Sequence, residues 1–341
     1  MAVPFASAIQ NLIDDQTAAV MRTIGYTAPG LRLMKIKPIA GLQLSRSIDA
    51  TTPTLPYVGI NQVLVAADYV HGTTRAARDR VSRLALPIRV DIDTGDLPSE
   101  FENEKKKQTR LGAQALGMKY QEDFFLAQGG LSDLNAPIGV YQRMQDDIDA
   151  GYMATTQRVN CNGPLTLEKV AELLNTVPER PGCKRVLFMN KKMRTDFDML
   201  LHDPSYRGIR TITQAQDEFG MEIEKYGSVQ IVVLERYHDG ASPLSFTETT
   251  TGRPTLGTGT TATGSIWLIS FGDEENVYGF AKGTIINGNL TFDRGDMGLS
   301  LEPFVRATGQ YYEESASRWL FGFACDGPRW GGRLHTIDYV A

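Results

Sequence analysis

The longest run of helix-compatible residues lies between Pro98 and Gly130. Ser99 followed three positions later by Glu102 reads as a capping box, in which a hydroxyl and a carboxylate meet backbone donors that a helix start leaves without partners. Glu100, Glu102 and Glu104 put negative charge at the positive end of the helix dipole. No proline interrupts the run, and Gly129-Gly130 reads as a left-handed stop. Such a rod is about 45 Å long, more than the width of a small domain, so architecture is the first question and active-site chemistry the second. Gly112, Ala113, Ala115 and Gly117 form a run of small residues along it. Each interior glycine costs about 1 kcal/mol relative to alanine, which close packing of a crossing element would offset.

Before this helix the pattern is weaker. Ile9, Leu12, Ile13, Val20 and Met21 fall near helical spacing. Pro29, Gly30, Pro38, Gly41, Pro53 and Pro56 then predict an irregular, extended arm that buries few of its own side chains. Residues 57–93 read as two strands around a polar tip: Val63-Leu64-Val65 leads in, residues 71–74 turn, and Leu84 to Ile92 leads out with alternation after Pro87.

Past the long helix the signals become sharper. Thr166 caps a helix whose apolar positions are Leu167, Val170, Ala171 and Leu174. Val186-Leu187-Phe188-Met189 is a candidate buried strand, and Asn190 caps a further helix carrying Met193, Phe197, Leu200 and Leu201. Val229 to Leu234 and Ile266 to Phe271 read as interior strands, and Trp319, Phe321, Phe323 and Cys325 alternate as one apolar strand face. Residues 249–265 hold eight threonines and four glycines, the composition of a flexible surface loop. Strands, helices, then more strands predict an α+β fold.

Composition narrows function mainly by exclusion. With 341 residues, 42% hydrophobic and 22% charged, the chain can build one large or two modest cores. The net charge of −5 does not suit a nucleic-acid binder that relies on bulk positive charge. Three widely spaced cysteines, Cys161, Cys183 and Cys325, with no CxxC pair, predict free thiols in a reducing compartment. The start lacks a basic n-region, and no run approaches a membrane span, so synthesis in the cytosol is expected.

Catalytic and ligand motifs are weak. Gly257 to Gly264 is rich in glycine, but position 262 is alanine, no lysine follows, and the loop precedes a strand where a phosphate loop would open a helix. Asp91, Asp93, Gly95 and Asp96, with Glu102 twelfth, exchange the glycine and third acid of a calcium loop. His71, His202, His238 and His335 are isolated, and there is no GxSxG nucleophile. The chain is expected to have no catalytic site, cofactor or metal; an enzyme whose site is assembled from distant residues is the rival from another class.

Charge is strongly segregated in one region. Arg75, Arg78, Arg80, Arg83 and Arg89 stand against Asp79 alone, a local +4, and Asp91 to Glu104 then carries a local −6. A basic loop on one subunit docking on the acidic helix start (Glu100, Glu102, Glu104) of the next would set register between copies. Exposed pairs contribute about 0–1 kcal/mol each, so repetition around a ring would have to supply the strength.

An N-terminal arm, a protruding two-stranded loop, a long spine helix, a mixed region and returning strands resemble, in that order, the major capsid proteins of tailed phages, which share the Hong Kong 97-type fold. Leu167 to Leu174 followed by Val186 to Met193 is similar to the family's helix, strand and second helix. Tyr226 to Val233 is similar to the strand after them, and Trp319 to Arg329, ending Asp326-Gly327-Pro328-Arg329, to its C-terminal strand. The resemblance implies an N-terminal arm at 1–54, an extended loop at 55–97, and a peripheral domain from 98–155 with the return strands 300–341. The axial domain would be 156–299, with the Thr/Gly loop near the capsomer axis or outer surface.

It further implies hexamers and pentamers of this chain in a virion capsid, assembled in host cytoplasm around double-stranded DNA that it touches weakly and without sequence preference. Portal and decoration proteins are the implied partners, and a membrane is not. Because the sequence keeps Met1, a separate scaffolding protein is expected as well. Some relatives join neighbours through a lysine of the extended loop; residues 55–97 contain none, so a non-covalent shell is expected. An encapsulin-like compartment, which has the same fold and packages enzymes, is the second structural reading.

Overall fold

The computed structural model describes residues 3–4, 15–49, 74–92, 98–129, 135–203, 212–216, 222–235, 242, 244–248, 254–255, 263–273, 276–286, 289–292, 297–306 and 311–338. In chain order the first elements are β1 (Val3–Pro4), α1 (Asp15–Thr27), α2 (Pro29–Leu33), β2 (Lys35–Ile39), β3 (Gln43–Asp49), β4 (Thr74–Arg80), β5 (Ser82–Asp91) and the spine helix α3 (Pro98–Leu126). Then come α4 (Val140–Asp149), β6 (Arg158–Pro164), α5 (Leu167–Thr176), β7 (Lys184–Met189), α6 (Lys191–His202), β8 (Ile212–Gln216), β9 (Glu222–Tyr226) and β10 (Val229–Val233). The chain finishes through β11 (Ser245–Glu248), β12 (Pro254–Thr255), β13 (Thr263–Phe271), β14 (Val277–Ile286), β15 (Asn289–Phe292), β16 (Leu299–Ser300), β17 (Val305–Arg306), β18 (Tyr312–Cys325) and β19 (Gly331–Asp338).

Two groups of strands organise the molecule. In the first, β14 pairs in parallel with β2 and antiparallel with β18, and β18 pairs antiparallel with β5. In the second, β13 lies antiparallel between β7 and β19, β7 runs parallel to β10, and β19 runs parallel to β6. The groups meet where β13 passes into β14, at Phe271 and Val277.

The second sheet is covered on both faces, so its strands are apolar without alternation; every position of β13 is buried. Val186, Phe188, Trp267 and Ile269 face a core shared with the spine helix and the first sheet. Leu187, Met189, Ile266 and Leu268 face a separate core under α5 and α6. Aromatic rings knit the spine helix to both sheets: Tyr120 lies 5.0 Å from Phe321, Phe124 4.9 Å from Phe323, and Phe125 5.4 Å from Phe188. Trp319, Phe321, Phe323 and Cys325 form the buried face of β18, as their alternation predicts.

The small residues of the spine helix mark its crossings. A Cβ on Gly112 would stand 2.6 Å from Leu86 Cδ1 of β5, and one on Gly117 would meet Thr27 and the Ile24 carbonyl of α1. Ala113 is fully buried, whereas Ala115 is exposed.

Thr166 and Asn190 cap α5 and α6, their side chains accepting from the Lys169 and Met193 amides. On α5 the buried positions are Leu167, Val170, Leu173 and Thr176. Ala171 lies on the exposed side, because the helix turns its heptad-like row one position further round.

Several expectations need correction. The spine helix already includes Pro98, which suits a first-turn position that has no use for an amide donor. Ser99 therefore lies inside the helix, and the carboxylate of Glu102 binds Lys105 at 2.9 Å. The helix stops at Leu126, before Gly129, and Gly129 has no left-handed backbone. A Cβ there would come within 2.4 Å of the Ala136 carbonyl, so the glycine is needed for close approach of the returning chain. Gly130 lies outside the described residues.

The stretch from Pro29 onward is also no loose arm. Leu31, Met34 and Ile36 are buried in the main core together with Met21 and Ile24 of α1; Ile9, Leu12 and Ile13 lie outside the described residues. The strand entering the protruding loop is β3, which pairs antiparallel with β4 from Gln43↔Arg80 to Asp49↔Thr74. Val63-Leu64-Val65 and residues 71–73 lie outside the described residues. Of the Thr/Gly-rich segment, 254–255 pair with β11 and 263–265 open the buried strand β13; the rest lies outside.

Candidate intersubunit surface

The hairpin β3–β4 forms a two-stranded sheet of its own, separate from the large network of the other strands. After Val81, whose amide donates to the Leu42 carbonyl at 2.9 Å, the same strand direction continues as β5 on the edge of β18. The arginines therefore lie along an extended strand and its continuation, not at a tip. In β4, Arg78 and Arg80 are exposed and Asp79 between them is 3% exposed, the alternation a strand imposes.

Asp79 is gripped from two sides. Arg46 of β3 donates to one of its carboxylate oxygens and Arg143 of α4 to the other. Arg46 also binds Asp326, in the turn after β18, and donates to the Cys325 carbonyl. Burial alone would lower the pKa of Arg46, but Asp79 and Asp326 more than compensate and raise it. The same balance, with Asp79 as the main carboxylate, raises Arg143. Burial pushes the Cys325 thiol well up, which leaves it protonated and inert. One turn along α4, Asp147 accepts from the Trp330 indole at 3.4 Å.

The outward side differs. Arg78, Arg80 and Arg83 have no ion-pair partner among the described residues. Arg78, Asp79 and Arg80 together line a crevice of about 230 Å³ with Gly129, Ala136 to Ile138 and Phe323. Arg89 is held within the chain, by Glu314 at 3.5 Å and by stacking 4.0 Å from the Tyr312 ring. Arg75 lies in β4 and Glu100 in the first turn of α3, with side chains outside the described set.

The acidic helix start is largely balanced in place. Lys105 bridges Glu102 and Glu313 at 2.9 and 2.8 Å, and Glu104 meets Lys107 at 3.4 Å and Gln108 at 2.7 Å. Glu102 remains 60% exposed. Among the described residues, Arg78, Arg80, Arg83 and Arg89 do not pair with Glu102 or Glu104 within one chain.

The sequence gives no sign of a role for Arg46 or Arg143, and places Asp326 only at the end of the C-terminal strand. The single signal available was Asp79 itself, one acid inside a run of arginines. No cluster of three or more His, Cys, Asp or Glu side chains suited to a metal occurs among the described residues. No helix among them is long and apolar enough to cross a membrane.

The sequence matches no family model and no curated protein. Solved structures match over nearly the whole chain. The SrpI encapsulin complex of Synechococcus elongatus aligns with TM-score 0.61 and 16% identity, covering 94% of this chain and 90% of that one. The capsid of the empty GTA particle aligns with TM-score 0.52 and 10% identity over 91% and 90% of the two chains. The Mycobacterium phage Patience structure aligns with TM-score 0.52 and 10% identity over 94% and 87%. A hairpin set apart from the sheets, a 29-residue spine helix and two fused sheets are therefore those of a known architecture: the chain has the Hong Kong 97-type fold.

Proposed function

We propose that this chain is a major capsid protein whose hexamers and pentamers build an icosahedral shell around packaged viral double-stranded DNA. The observation that carries the reading is the match of almost the entire chain to an encapsulin complex and a GTA capsid. Its function is then structural, not catalytic. The buried aromatic spine makes each subunit a rigid tile, and the hairpin extends from it to overlap a neighbour. Head-to-tail contacts of this kind close into rings when the rotation permits.

In this reading the peripheral domain comprises 98–155 and 300–341, the axial domain 156–299, the arm 1–54 and the extended loop 55–97. The two strand groups cut across these bounds: β14, from 156–299, pairs with β18 and β2, and β19, from 300–341, pairs with β13 and β6. The outward cations Arg78, Arg80 and Arg83, with Arg75 beside them, would meet carboxylates of the next subunit, Glu100, Glu102 and Glu104 being the proposed counterpart. Portal, a separate scaffolding protein and a decoration protein would complete the virion, with only weak contact to DNA.

A second reading, an encapsulin-like compartment, is favoured by the TM-score of 0.61 to an encapsulin. Expression of the full chain followed by size-exclusion chromatography and negative-stain imaging tests both. Closed shells or capsomer rings are expected, and a stable monomer would overturn the shell reading. A genomic neighbourhood with terminase and portal supports the capsid; a neighbouring cargo enzyme retained inside purified shells supports the compartment.

A further inference from the structure

Among the described residues, β3 and β4 have little apolar anchorage. Two-stranded hairpins alone are marginal in water. Of their described side chains only Ile48 is a buried hydrophobic, and Leu44 packs half-buried with Val81 against the small cluster of Ile39, Tyr278, Phe280 and Ala324. Charge does the rest of the tethering. Asp79 joins the hairpin's own Arg46 to Arg143 on α4, and Arg46 reaches on to Asp326 behind β18. All four side chains are at most 14% exposed.

We infer that Asp79 is the positioning residue of the hairpin, a charged clasp that fixes its register and its pose on the body of the subunit. The inference rests on the shell reading for its purpose, but not for its geometry. A strand slipped by one residue exchanges its faces. Such a slip in β4 would drive Arg78 or Arg80 against Arg46 and Arg143 and expose the carboxylate that the two share. Buried ionic groups of this kind are best attested as devices that select one arrangement among several. With Asp79 drawn inward, Arg78 and Arg80 are left exposed on either side of it in β4. The clasp therefore also decides which charges a neighbour meets.

Hydrogen exchange on the full-length subunit, read segment by segment, tests the clasp. In Asp79→Asn, amides of 43–49 and 74–80 should exchange at least tenfold faster, while those of the spine helix and β13 keep their protection. The double variant Asp79→Asn/Arg143→Met removes the cation left without its carboxylate. It should restore thermal stability without restoring protection of the hairpin. Unchanged hairpin protection in either variant overturns the inference. So does a loss spread equally over spine helix and β13 that the double variant cures throughout, because that pattern belongs to ordinary core stability. Imaging of the same preparations separates the two readings: wild-type protein that forms no shell counts against the shell, while the exchange pattern still decides the clasp.

Discussion

Gly117 of the spine helix lies so close to Thr27 of α1 that a Cβ built on it would stand 1.8 Å from the threonine Oγ1 and 3.0 Å from the Ile24 carbonyl. The threonine hydroxyl is itself turned back onto its own helix, donating to the Thr23 and Ile24 carbonyls at 3.1 and 3.0 Å. The glycine is therefore the price of a tight helix crossing. Gly117→Ala should destabilise the subunit by about 1–3 kcal/mol, the usual cost of overpacking, despite the higher helix propensity of alanine. Thr27→Ala should recover part of that loss but not all, because the Ile24 carbonyl is backbone. Chemical denaturation of the two single variants and the double variant measures the coupling.

Asn190 is buried at the junction of β7 and α6, where its side-chain oxygen accepts from the Met193 amide at 2.7 Å. Met193 then presses on Gly264 at the start of β13, 3.0 Å from where a Cβ would be. Loss of the cap would thus be felt in the sheet as well as the helix. Asn190→Ala is expected to cost about 1–2 kcal/mol, the upper part of the range for such caps, while Asn190→Ser keeps most of the stability. Melting temperatures of the three proteins report the order.

His335 on β19 titrates far below its ordinary value of 6.5, at about 4, because burial disfavours its charged form and the Arg333 and Arg158 cations lie beside it. Its Nδ1 sits 2.7 Å from the Thr336 hydroxyl oxygen. The unfolded chain takes up this proton first, so between about pH 6.5 and 4 it binds more protons than the folded chain, and stability falls as pH falls. The full loss is on the order of 3 kcal/mol, complete below about pH 4 and absent above pH 7. Urea denaturation of wild type and His335→Gln across pH 4–7 should show a shallower acid slope in the variant; parallel curves would refute the assignment.

What the sequence disclosed follows the range of the forces involved. Thr166, Asn190 and the Trp319–Cys325 alternation act over a few residues, and each sits where its spacing implies. Gly129 was misread because a glycine needed for left-handed backbone and one needed for close approach look alike in sequence. β3 was missed because Gln43 to Asp49 is mostly polar and its partner β4 begins only at Thr74. The clasp was invisible for the same reason: Arg46 and Asp326 are 280 residues apart, and no periodicity links them. The helix's acidic start is legible, but so are Lys105 and Lys107 three residues on, and these balance Glu102 and Glu104 within the chain.

That balance sharpens the last prediction. Glu102 and Glu104 already have cations, so they can offer a neighbour only a share of their charge, whereas Arg78, Arg80 and Arg83 have no carboxylate of their own among the described residues. Exposed pairs are weak and screened within about 10 Å at 0.1 M salt, so any role in assembly must show as salt dependence multiplied over many contacts. Reversal of all three arginines to glutamate should abolish shell formation at low ionic strength while leaving the subunit folded, since none of the three enters the clasp. Assembly of the wild type should weaken as salt rises. Restoration by Glu102→Lys/Glu104→Lys in the reversed background would identify the helix start as the partner. Light-scattering assembly assays at graded salt measure each case, and shells that form equally well from the reversed protein at every ionic strength would remove the arginines from the interface.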